Sequence, residues 1–376
     1  MCNFVGEKML NSLVGYLLLA LLLIGCSIGT PAAPADMGDD QDIAGSVGKS
    51  KPDELVIMSH DSFAISEEVL AEFEKTNNVR IVLLPAGDAG AALNQAILSK
   101  QDPLADLFFG LDNTFMSRAL AEGIFEEYES PLLAEVPEGL ILDQTYHLTP
   151  VDYGDVCLNY DRLWFEERAI ELPDSLLDLI LPEYKNLLVV ENPATSSPGL
   201  AFLLATIVEF GTDGNYTYLD YWAALRENGV MVVDGWEAAY YGYFSAVSDG
   251  SRPLVVSYAS SPTAEIVFAN PPIDEPPSGS ITEPGTCFRQ VEFVGISKGT
   301  SQRQNAEKFI DFMIGKVFQE DIPLNMFVFP VNQNAILPKV FIDWASVPEE
   351  LGTIDPDIID AKREEWIQSW TEVVLR

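Results

Sequence analysis

From Glu54 onward the chain repeats one arrangement three times: a short apolar run, a polar turn, then an amphipathic stretch. The run 55–58 leads into Ser59-His60-Asp61-Ser62-Phe63 and a helical pattern carrying Val69, Leu70 and Phe73. The run 79–84 leads into Gly87-Asp88-Ala89-Gly90 and a helix over 91–99, and the run 106–109 into Gly110-Leu111-Asp112-Asn113 and a helix with Phe115, Met116, Ala119 and Leu120. Three such units in succession predict an α/β fold with a parallel sheet and right-handed crossovers. The polar turns then share one edge, at the carboxyl ends of the strands, where open α/β sheets bind their ligands.

The stretch before these units has a different character. Residues 13–24 form an apolar run that is too short for a transmembrane helix and suits the core of an export signal. It ends in Leu23-Ile24-Gly25-Cys26, which resembles the lipobox of bacterial lipoproteins, so residues 1–26 are read as a signal peptide with lipidation at Cys26. Plain cleavage near 32–35 is the alternative. Residues 27–51 are rich in Gly, Ala, Pro, Ser and Asp and cannot bury a core, which makes them a tether. An anchor followed by a tether implies a globular part working just outside the membrane.

Lys and Arg total 21 against 58 Asp and Glu, a net charge of −37, which argues against nucleic acid or an anionic membrane surface as a partner. It favours a cationic ligand, although acids spread along the chain are first of all a solvated surface. With only His60 and His147, and no CxxC pair among the cysteines, neither a zinc site nor a Ser-His-Asp triad is expected.

Further along, the run 187–190 reads as a buried strand and 201–210 as a helix, with Glu191-Asn192-Pro193-Ala194-Thr195-Ser196-Ser197-Pro198-Gly199-Leu200 between them. Thr195, Ser196 and Ser197 can cap that helix, Pro198 suits its first turn, and its N–H groups can hold an oxyanion or a hydroxyl. An ordinary capped helix is the competing reading. Residues 149–160 read as a strand crossing to a second lobe and 287–296 as the strand returning. Between them are expected helices over 218–225 and 236–247, strands over 231–233 and 254–257, and a polar loop over 270–286. A strand at 327–330 and helices at 306–314 and 361–375 complete the first lobe. The expected division is 52–150 for the first part of lobe 1, 151–288 for lobe 2 and 289–376 for the return, with lobes that close by hinge motion.

Seven motifs then stand in order: Asp61-Ser62-Phe63, Gly110-Leu111-Asp112-Asn113, Asp152-Tyr153-Gly154, the 195–200 stretch, Gly235-Trp236-Glu237-Ala238-Ala239-Tyr240, Ser257-Tyr258-Ala259-Ser260-Ser261-Pro262 and Phe329-Pro330-Val331. Together they resemble the thiamine-binding proteins of ABC importers, within the type II periplasmic-binding-protein family. The resemblance implies a two-lobed fold, thiamine or a thiamine phosphate as ligand, a permease and its ATPase as partners, a monomer, no cofactor, no metal and no catalysis. It implies aromatic contacts from Trp236, Tyr258 and Phe327, with Tyr153 and Tyr240 nearby, to a thiazolium cation that cannot lose its charge. Asp61, Asp88 and Asp112 are the implied carboxylates, although Asp61 and Asp112 can equally be helix caps. His60 and Ser62 are implied neighbours of the ligand, and Ser196 and Ser197 would meet its hydroxyl or phosphate end. The chain departs from the family's pattern at His60 and Ala264, where tyrosines are usual, and at Phe327, where tryptophan is usual; Tyr240, Tyr241 or Tyr243 can supply the missing surface.

With Cys2 and Cys26 accounted for by processing, Cys157 and Cys287 remain, both on the crossing segments, and are expected to pair. Two rival functions stay open at this point. One is a thiaminase-like enzyme with Cys157 as nucleophile, which lacks a nearby base. The other is a ferric-ion binder of the same fold using Tyr240-Tyr241.

Overall fold

The computed structural model describes residues 53–376. The signal segment, Cys26 and the tether lie outside the described residues.

Eleven strands form one sheet: β1 (Asp53–Ser59), β2 (Val79–Pro85), β3 (Leu107–Asp112), β4 (Phe125–Glu126), β5 (Thr149–Asp161), β6 (Leu188–Glu191), β7 (Met231–Val233), β8 (Leu254–Tyr258), β9 (Ser278–Ile281), β10 (Phe288–Ser297) and β11 (Phe329–Pro330). The main path runs β2-β1-β3-β10-β5-β8-β6-β7. β1 pairs in parallel with β2 and β3, and β6 in parallel with β7 and β8, as strands joined by crossover helices must. Between these parallel groups the long strands β5 and β10 run antiparallel to each other and to their neighbours. Their register sets Glu292 opposite Asp152.

The helix Ser197–Phe210 is apolar all round and correspondingly buried, with every residue from Ser197 to Ile207 out of solvent. Phe202 packs edge-on against Trp222 at 5.7 Å, and Trp222 against Trp370 at 5.4 Å, which ties the C-terminal helix Pro356–Val374 into the core. Cys157 and Cys287 are joined by a disulfide with a Cα–Cα distance of 4.4 Å, linking β5 to the start of β10.

Several expected elements differ. The 270–286 segment is not all loop: Ser278–Ile281 forms β9, paired antiparallel with β5. Its Ser-Gly-Ser-Ile sequence carries little strand propensity. The pairing rests on tertiary fit, since Gly279 lies under the ring of Tyr160, where a Cβ would come within 2.6 Å. The helix expected over 236–247 is a short π-helical turn, Ala238–Tyr243, ended where Phe244 bridges Arg252. Ser261–Phe268, between the expected 254–257 strand and the 270–286 segment, is a helix begun by Ser-Pro. Lys316–Asn325, for which no element was expected, is a helix with Pro323 inside it and Phe318 and Ile322 on its buried face.

Candidate functional site

The turns after β1, β2, β6, β7 and β8 converge, together with the middle of β5 and β10 and the segment before β11, on one cavity of about 580 Å³. That volume lies in the range of small-molecule sites.

From the turn after β1 come His60, Asp61 and Ser62, and from the turn after β2 comes Asp88. Asp61 Oδ1 accepts from Gly87 N at 2.9 Å while Asp61 N donates to Gly87 O at 3.0 Å, so the two turns hold each other. Asp88 is the N-cap of the helix Ala89–Leu98, accepting from Ala89 N at 2.8 Å. Burial first raises its carboxyl above the ordinary range, against the pull of that N–H. Gly110, with φ +88°, leaves room for His60; a Cβ there would lie 2.0 Å from the imidazole Cδ2.

Ser196 and Ser197 reach the wall from the head of the Ser197–Phe210 helix. Their hydroxyls do not cap it, contrary to expectation. Instead Asn192 O accepts from Thr195 N at 3.1 Å and Ser196 N at 3.0 Å, and the Thr195 hydroxyl donates to Asp234 O at 2.7 Å. The Ser196 and Ser197 hydroxyls are buried without a hydrogen-bond partner. Gly199 lets the helix head sit against the end of β6, where a Cβ would meet Glu191 O at 2.6 Å.

The aromatic surface comes from Trp236, Tyr240, Tyr258 and Phe327. Trp236 stacks on Tyr240 at 5.0 Å and donates Nε1–H to Ser257 Oγ at 2.8 Å, so its ring is fixed before any ligand arrives. Tyr240 spends its hydroxyl on Glu265 at 2.6 Å. Tyr258 lies over Gly154, whose missing side chain makes its place, and donates to Gln290 Oε1 at 2.9 Å. Phe327 holds the left-handed φ of +57°, rare for a bulky residue, and is pinned by Ser260, which donates to its carbonyl at 2.6 Å. Ala264 is on the wall, as are Tyr241 and Phe268; Tyr243 is not.

Two expected ligand residues are not on the wall. Asp112 is buried behind it, its Oδ1 accepting from Thr114 N at 2.7 Å and Thr114 Oγ1 at 2.5 Å, its Oδ2 from Gln290 Nε2 at 2.8 Å. Burial raises its carboxyl, and Thr114 and the nearby Ser197 hydroxyl pull the other way. It therefore orients Gln290, and through it Tyr258. Tyr153 faces elsewhere, stacked on Phe329 at 5.3 Å and capped by the Arg289 guanidinium at 4.6 Å. Side chains alternate along β5, so with Asp152 in the cavity Tyr153 must point away.

Sequence reasoning missed the pair Asp152 and Glu292. Both line the cavity, from neighbouring strands. Asp152 is fully buried, and neither of its oxygens nor Glu292 Oε2 accepts from a donor of the protein, while the two carboxyls lie close enough to share a hydrogen bond. Burial first, then the charge of Glu292, raises Asp152 well above the usual carboxylate range. Glu292 Oε1 lies 3.5 Å from His60 Nε2. Burial opposes a charged imidazole, but Glu292, with help from Asp88 and Asp112, outweighs it and raises the His60 pKa above 6.5. The signal available was Asp-Tyr-Gly on one crossing strand and Gln-Val-Glu on the other; only the register joins them.

The wall carries Asp61, Asp88, Asp152, Asp234, Glu237 and Glu292 but no Lys or Arg. Rigid electron-rich rings and unpaired carboxyl oxygens are what a cation or a donor-rich ring needs. Cys157 is off this wall and its sulfur is committed to Cys287.

Residues 102–345 match the family model of the bacterial extracellular solute-binding proteins. The chain belongs to that family. As a member, it is similar to the thiamine-binding periplasmic protein of Escherichia coli K12, at 29% identity over 329 residues, covering 86% of this chain and 94% of the relative. It superimposes on a solved periplasmic thiamin-binding protein with a TM-score of 0.75 and 26% identity, over 88% of this chain and 98% of the other. The fold, a two-lobed type II binding protein, is shared more widely: iron-bound HitA of Pseudomonas aeruginosa gives a TM-score of 0.69 at 18% identity, over 86% of this chain and 99% of the other.

Proposed function

We propose that this solute-binding protein captures thiamine outside the cytoplasm and delivers it to the permease and ATPase of an ABC importer, as a monomeric lipoprotein held by Cys26. The observation that carries the reading is the cavity wall, on which preset aromatic rings face carboxyls without hydrogen-bond partners and no basic side chain but His60 stands. Thiamine's thiazolium keeps its charge at any working pH, so a binder must meet it with carboxylates and aromatic faces. The donor groups of the aminopyrimidine suit the oxygens of Asp61 and Asp88, and the hydroxyl end suits Ser196 and Ser197. With no Lys or Arg on the wall, the unphosphorylated vitamin is the form best served, because a phosphate would bring up to two negative charges among six acids. The similarity to thiamine-binding relatives over most of the chain supports the same ligand.

The mechanism is capture by closure. Lobe 1 (52–150 with 289–376) and lobe 2 (151–288) would swing on β5 and β10, shutting the cavity between them. No chemical step is required, in keeping with relatives that are binding proteins. Against the ferric reading, Tyr240 already donates to Glu265, and burial first, then the charge of Glu265, pushes its phenol well above 10, so phenolate formation is costly.

Isothermal titration of ligand-stripped protein tests the reading. Thiamine is expected to saturate one site and to bind more tightly than its monophosphate or pyrophosphate. Absence of thiamine binding, with a visible charge-transfer band on adding ferric ion, would reverse it.

A further inference from the structure

Two acidic side chains on adjacent strands line one cavity, with the His60 imidazole beside one of them and no Lys or Arg on the wall. Asp152 on β5 and Glu292 on β10 stand directly opposite in antiparallel register. Three of their four carboxyl oxygens accept from no donor of the protein, and the two groups stand within hydrogen-bond reach of each other. The fourth, Glu292 Oε1, is 3.5 Å from His60 Nε2, which itself completes no hydrogen bond. The other groups facing the pair cannot neutralise it. Asp88 stands at the head of the Ala89–Leu98 helix and Asp112 at the end of β3, both acidic. Tyr258 on β8 and Gln290 on β10 are neutral and already joined in the relay Tyr258 to Gln290 to Asp112.

We propose that Asp152 and Glu292 are the seat of the ligand's fixed positive charge, and that the arriving cation displaces a proton which the pair holds in the ligand-free protein. This rests on the thiamine reading and adds to it the residues that take the charge and the ion that leaves. Facing carboxyls buried together cannot both ionise at neutral pH, so one proton is retained between them. The raised pKa of Asp152 agrees with that arrangement. The charge balance closes. Ligand-free, the pair carries one proton and a net charge of −1; ligand-bound, it carries none, has charge −2, and the thiazolium supplies +1. The proton passes to the buffer. Both residues sit on the strands that the two lobes share, so the exchange takes place where closure is centred.

Calorimetry of the full chain with thiamine, repeated at pH 7 in buffers of different ionisation enthalpy, measures the proton directly. Close to one proton released per thiamine is expected, with affinity rising up to about tenfold per pH unit between pH 6 and 7. Asp152→Asn should bind more weakly, release no proton and lose the pH slope, and Glu292→Gln should behave alike if the first variant does not fold. His60→Gln should keep the release, because the proton comes from the carboxyls. Thiamine binding with no buffer dependence overturns the exchange alone and leaves the thiamine reading standing. Loss of the release in His60→Gln would assign the proton to the imidazole and likewise overturn the exchange. No thiamine binding at any pH overturns both.

Discussion

Gly154 is the residue on which the place of Tyr258 depends, and Gly154→Ala tests that dependence. A Cβ at 154 would stand 2.8 Å from Tyr258 Cδ1 and 3.2 Å from Cε1, so the ring must shift by more than half an ångström. The ring is not free to do so. Its hydroxyl is fixed to Gln290, which is fixed to Asp112, which is held twice by Thr114. Overpacking of this kind costs about 1–3 kcal/mol, and breaking the Tyr258–Gln290 bond adds about 0.5–1.5. Removing glycine from a strand returns about 0.5–1 kcal/mol, which leaves a net loss of roughly 0.5–4 kcal/mol, about 2 at the middle of each range. Urea denaturation followed by tryptophan fluorescence reads this loss, and thiamine titration should weaken about tenfold as the ring leaves its position. In a Tyr258→Ala background the clash has no partner, and Gly154→Ala should cost less than about 0.5 kcal/mol. Equal costs in the two backgrounds would refute the reasoning, since the glycine would then not be making room for the tyrosine.

Replacing Trp236 by Ala removes one preset ring while leaving Ser257 its bond to Ser261, so thiamine affinity should fall about 3- to 30-fold in titration of the folded variant. Removing the disulfide by Cys157→Ala with Cys287→Ala frees a 130-residue separation and should cost about 3–5 kcal/mol in urea denaturation; a loss under about 1 kcal/mol would count against its role in pinning the crossing strands. Glu191 is fully buried with both oxygens unpartnered, and burial first, then the charge of Asp88, holds its pKa at about 8 against the usual 4.5. The folded state thus keeps a proton that the unfolded chain gives up above pH 4.5, so this stability is full below that pH and is lost as pH rises through 8. Glu191→Gln should accordingly gain on the parent by on the order of 3 kcal/mol between pH 5 and pH 8; an unchanged difference would refute a neutral buried Glu191.

Much of the frame could be read from the chain because it depends on local pattern. β1 to β3 and their helices follow from apolar runs and periodic stretches, and the turns after β1 and β2 do converge, while the turn after β3 stays behind the wall. His60, Asp61, Asp88, Ser196, Trp236 and Tyr258 lie on turns or strand ends, so one cavity collects them. What the sequence withheld depends on long-range register or on a choice between faces. Asp152 and Glu292 are far apart in the chain and meet only because β5 and β10 pair in one register. Asp112 reads as a turn carboxylate, yet Thr114 draws it behind the wall. Tyr153 is one residue from the cavity but on the other face of its strand. The serines at the head of the Ser197–Phe210 helix have capping chemistry, but Pro198 at its second position has no N–H for the Ser196 hydroxyl to accept from, and no side-chain cap forms. β9 owes its pairing to the ring of Tyr160 above Gly279, which no propensity encodes.

The most direct measurement is a crystal structure of the protein grown with thiamine. The account requires the thiazolium within ion-pair reach of Asp152 and Glu292, with Trp236 and Tyr258 against the rings and Ser196 toward the hydroxyl end. Thiamine seated elsewhere, or bound with its cation turned away from both carboxyls, would contradict it.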